Sequence, residues 1–122
     1  MCTEENRMVT RDEFLELLWK YVIGSPAGEY ALENIIANCK RNPDGPFGDV
    51  GAAIERLLEA GASSRDLRLI FRSIAYEAVF GTLYSLSDPG LDEVEDAGTL
   101  YEKLLTSDPS GMEGRPGSID AV

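Results

Sequence analysis

An all-α fold is what this sequence predicts: a compact bundle of four to five helices with a long central helix at about 65–86. Three observations carry that expectation. Apolar residues recur at helical spacing along most of the chain. The stretches open on capping residues and close on glycine or proline-glycine turns. No two stretches alternate as strands across a hairpin turn. At 122 residues and 43% hydrophobic, the chain has enough apolar material for one domain with its own core.

The first helix is expected at 11–23. Thr10 and Glu13 have capping-box spacing, in which hydroxyl and carboxylate each take the other residue's backbone N–H. Phe14, Leu15, Leu17, Leu18, Tyr21 and Val22 follow at helical spacing, and Gly24 suits a left-handed stop. Ser25-Pro26 then opens a second helix at about 26–41, with Tyr30, Leu32, Ile35, Ile36 and Cys39 on its apolar face. Lys40 and Arg41 fall in its last turn, where the helix dipole favours cations. So short a link predicts an antiparallel hairpin between these two helices.

The run 42–48 holds two prolines and two glycines and reads as a loop. Asp49 is placed to cap a third helix at about 50–60, with Ile54, Leu57 and Leu58 on one face and Gly61 as its stop. Ser63 or Ser64 caps the fourth and longest helix. Its apolar residues, from Leu67 to Leu86, nearly encircle the axis, which predicts burial by neighbours on several sides with Phe80 in the core. Gly81 within it predicts close approach of another helix. Asp88-Pro89-Gly90 ends it. A weaker fifth helix is expected, best defined at 99–105. The domain thus runs over 1–105, with a polar leader at 1–9. Residues 106–122, rich in Gly, Ser, Pro and Asp, are expected to form a flexible tail.

Charge and composition then narrow the function. There are 22 acids, 11 bases and no histidine, for a net charge of −11. Such a surface repels nucleic acid and anionic lipid, so neither is an expected partner; a basic protein is. No window approaches the apolar length of a membrane span, and the N-terminus lacks a signal peptide's basic and apolar regions. The expected location is cytoplasmic, in which Cys2 and Cys39 stay free thiols.

Without histidine there is no Ser–His or Cys–His nucleophile pair, and zinc loses its commonest ligand. The glycines at 45, 48 and 51 resemble a phosphate loop only superficially: no strand precedes them, and Asp49 would face the phosphate. Asp88, Asp92, Glu93, Glu95 and Asp96 lack the pattern of a calcium loop. No catalytic set, metal site or cofactor is therefore expected.

Two candidate sites remain. Glu77 lies midway along the most apolar helix, near Ser73, Tyr76 and Tyr84, and these four are the candidate lining of a ligand pocket. The alternative is a structural hydrogen bond to the carboxylate. Asp92, Glu93, Glu95 and Asp96 are the candidate contact for a basic partner, against the alternative of a solvated acidic loop. Arg68 and Arg72 can ion-pair locally or hold an acidic group. Trp19, at the flank of its helix, marks either an interface or a second packing face.

In overall type the chain resembles inhibitor and immunity modules, a likeness of class that no motif carries. The function expected is a non-enzymatic interaction module docking a basic partner, as monomer or homodimer. The competing expectation is a small-ligand binder with its pocket near Glu77.

Overall fold

The computed structural model describes residues 9–87 and 97–121. The fold is all-α, with five α-helices and no strand among the described residues: α1 (Arg11–Leu17), α2 (Ala31–Arg41), α3 (Val50–Glu59), α4 (Ser64–Leu86) and α5 (Leu100–Leu104). Shorter 3₁₀ turns join and flank them.

The start of α1 is the expected capping box. Thr10 Oγ1 accepts the Glu13 N–H at 3.1 Å, and Glu13 Oε1 accepts the Thr10 N–H at 3.2 Å. The helix then widens, so that Leu18–Ile23 is a π-helix. Gly24 closes it by donating its N–H to Trp19 O at 2.8 Å. Here the expectation of a left-handed stop is corrected: Gly24 has φ −77°. Glycine is needed for a different reason. A Cβ would lie 2.8 Å from Trp19 O, because the wide π turn brings that carbonyl over the Cα.

The second helix is shorter than expected. Ser25–Ala27 is a 3₁₀ turn led by Pro26, Gly28 turns extended with ψ 154°, and α2 begins only at Ala31. Glycine holds a helix poorly, and here it separates the two pieces. The close antiparallel pair is α2 with α3, rather than the first two helices. At their crossing, a Cβ on Gly51 would come within 2.8 Å of Cys39 Cβ and 3.1 Å of Ile36 Cα. Cys39 Sγ is shared there, donating to Phe47 O at 3.4 Å and accepting from Gly51 N at 3.3 Å. Lys40 Nζ meets Glu55 Oε2 at 3.4 Å across the same pair. Asp49 precedes α3 but makes no side-chain cap.

Leu32, Ile54 and Leu67, one from each of α2, α3 and α4, form the core, with Ile36, Val50, Leu58 and Phe71 half-buried around it. Ile23 is buried as well. The long helix opens as expected, with Ser63 Oγ accepting the Asp66 N–H at 3.0 Å. Residues 18–27 and α2 pack against it. Arg68 ties it to the 3₁₀ turn, its guanidinium donating to Ala27 O at 3.2 Å.

The burial expected all round α4 is corrected. Leu67 is its one buried residue, and Ile74, Phe80 and Tyr84 are 60%, 53% and 70% exposed. A Cβ on Gly81 would meet nothing within 4 Å. The apolar faces exist, but the described chain supplies too few neighbours to cover them.

The segment expected as a tail follows a course of turns around Asp108. This carboxylate accepts from Ser110 N at 3.0 Å, Ser110 Oγ at 2.8 Å and Gly114 N at 2.8 Å. One main-chain bond fastens the segment to the body, from Phe47 N to Gly114 O at 2.7 Å.

Candidate docking groove

Between α3 and the C-terminal segment lies a groove of about 900 Å³. Its origin can be traced to side-chain size. Ala52 and Ala53 are short, so the outer face of α3 is low where Leu104, Leu105 and Ile119 come opposite. Phe47 forms one end. It holds φ +56°, a conformation unfavourable to a bulky side chain. Gly114, at φ +70°, permits the contact: a Cβ there would fall 2.9 Å from the Phe47 ring. Strain at Phe47 and the glycine opposite it therefore fix how the groove begins.

The floor is apolar and the rim is charged. Asp49, Arg56 and Asp108 stand among the lining residues. Glu59, Glu102 and Asp120 are exposed on the elements that build the walls, as are Lys103 and Arg115, so with the lining residues acids exceed bases by five to three. The Gly114 N–H, and after it the Ser110 N–H, hold the Asp108 carboxyl below the usual aspartate range. It is ionised throughout the neutral range, but its oxygens are already committed to the turn. Asp49 makes no side-chain cap to α3.

Glu77 is exposed on α4, and Ser73 Oγ is occupied by Ile70 O at 2.9 Å. Neither the groove nor the shallow hollow along α1 is lined by Glu77, Ser73, Tyr76 or Tyr84. A residue that a helical wheel places among apolar neighbours is buried only when another element covers that face, and among the described residues none does.

Tyr76 and Tyr84 are brought together in another way. With Trp19 and Phe80 they form a ladder of rings, at centroid distances of 5.7 Å (Trp19–Tyr76), 6.1 Å (Tyr76–Phe80) and 6.1 Å (Phe80–Tyr84). Arg72 lies 5.3 Å over the Trp19 ring, which is the partner it takes instead of a carboxylate. The spacing of 76, 80 and 84 already carried that signal. The groove had a weaker one, the paired alanines facing a glycine-rich loop.

No family model, curated protein or solved structure matches this chain. Asp92, Glu93, Glu95 and Asp96 lie outside the described residues. Among the described residues no cluster of three metal-binding side chains occurs, and no helix is long and apolar enough to cross a membrane.

Proposed function

We propose that this protein is a non-enzymatic interaction module, and that the groove receives a basic, amphipathic segment of a protein partner. The observation that carries the reading is the pairing of an apolar floor with an acidic surround. An amphipathic helix buries one face and leaves charges at the edge, and this groove offers the complement of a basic one. The net charge of −11 supports the same choice, because it favours encounter with a cationic surface. Asp92, Glu93, Glu95 and Asp96 add to that long-range attraction, which needs no fixed geometry.

The test uses a leucine–lysine amphipathic peptide and the same peptide with glutamate for lysine. The basic peptide is expected to bind saturably, to shift the amide resonances of Val50, Ala53 and Leu104, and to weaken as salt is added. Ala53→Trp, which fills the floor, should abolish these shifts. Equal binding of the acidic peptide, or shifts confined to other faces, rejects the reading.

A second reading is favoured by one observation: a volume of about 900 Å³ is also that of a small-molecule cavity. Binding of a long-chain alkylammonium ion at the same resonances, with no response to the basic peptide, would select it.

A further inference from the structure

The outer face of α4 is a separate feature. It lies on a different helix from either wall of the groove and differs from it in charge. Residues 70–87 carry two charged side chains of opposite sign, Arg72 and Glu77, in a chain that is 27% charged, and Arg72 lies over the Trp19 ring. Over the same length lie the ring ladder and, beside it, Ile70 and Ile74. Trp19, Ile70, Ile74, Tyr76, Phe80 and Tyr84 are each between 40% and 70% exposed. A large side chain half exposed offers on the order of 100 Å². Six of them make an apolar patch of roughly 600 Å², larger than most water-facing monomers carry and close to the ~800 Å² per partner of a standard interface.

We infer that this face is covered by a second copy of the chain, with the two α4 helices packed antiparallel about a two-fold axis near Phe80. Charge argues for that occupant. A basic partner would find a single carboxylate here, with the Arg72 guanidinium on the same face, whereas an apolar face of no net charge is complementary to its own duplicate. The net charge of each copy opposes association from a distance, but almost none of it lies on the contact.

Symmetry sets the direction. A two-fold contact is self-complementary, so each residue pairs with its image or with the residue equally far beyond the axis. With the helices parallel, Glu77 would sit beside its own copy. With them antiparallel about Phe80, Glu77 comes opposite Leu83, Tyr76 opposite Tyr84, and the helix dipoles oppose favourably. Gly81, next to the axis and open to solvent, lets the two backbones approach.

Sedimentation equilibrium of the full chain across a concentration series tests this. Twice the mass of one chain is expected, with association strengthened by salt, because screening weakens the repulsion between two copies of charge −11. Phe80→Asp should return the mass to that of one chain with its helical circular dichroism unchanged, since the side chain is 53% exposed and outside the core. Should that variant lose helicity, register is read in the otherwise native fold. In a background of Cys2→Ser and Cys39→Ala, Phe80→Cys should cross-link to itself. Tyr76→Cys should cross-link to Tyr84→Cys and not to itself. A single-chain mass at every concentration overturns the inference, as does a dimer unaffected by Phe80→Asp or cross-linking in parallel register. Peptide binding to the groove weakens with salt while this contact strengthens, so the two readings fail independently.

Discussion

Ile54 and Phe80 look alike in sequence, each a large apolar residue on the inward stripe of a predicted helix. They differ in the structure, at 2% and 53% exposed. Ile54→Ala should cost about 2–5 kcal/mol in urea denaturation, since it opens a cavity among Leu32 and Leu67. Gly51 is the other sensitive position. Gly51→Ala would push a methyl group into Cys39 and Ile36, so a loss of about 1–3 kcal/mol is expected on the same measurement. Asp108 gives a pH dependence. Its pKa is lowered in the folded chain, so its contribution is present above the unfolded pKa and is lost as pH falls through the folded one. The turn at 108–114 should therefore loosen below about pH 4, seen as movement of the Gly114 amide resonance. Asp108→Asn should remove that transition.

At the scale of elements, most helices were legible because their signals are local. Capping at Thr10 and Ser63 and the stop at Gly61 depend on neighbours within one turn. The π-helix at Leu18–Ile23 was not legible, because 3.6-residue and wider windings share the same apolar residues over two turns. Nor was the break at Gly28, which falls inside the helix expected at about 26–41. Burial was the least legible property of α4. Its apolar pattern records which faces avoid water but not which chain covers them. Phe80→Ala should accordingly cost under about 1 kcal/mol in a single folded chain held apart by dilution. At concentrations where the double-mass species forms, the same change should lower the melting temperature, and that contrast is measurable by scanning calorimetry at two concentrations.

For the whole molecule, the acidic excess is the property read most directly from composition, and its use is kinetic. Changing Asp92, Glu93, Glu95 and Asp96 together to Asn or Gln should slow association with a basic peptide at low salt and leave dissociation nearly unchanged. Stopped-flow measurement separates the two rates; an unchanged association rate would show that these four acids play no steering part. The groove had only a weak trace in the sequence, the paired alanines of α3. It is assembled from α3 and from residues 100–119, joined by a contact between two residues with positive φ, and no local pattern announces such a meeting. Removing 107–122 should leave the helical signal of α2, α3 and α4 intact, because their shared core lies among Leu32, Ile54 and Leu67. Circular dichroism of the truncated chain checks this, and peptide binding should disappear with the lost wall.

The bond from Phe47 N to Gly114 O has a consequence in time. It closes a loop of more than sixty residues, whereas the contacts of α2 with α3 close loops of about a dozen. Long loops form late in folding and open most readily afterwards. The C-terminal wall is then a cooperative unit of its own, detaching many times for each global unfolding event. Amide hydrogen exchange at Phe47 should be far faster than at Ile54, and an occupied groove should slow the first without changing the second.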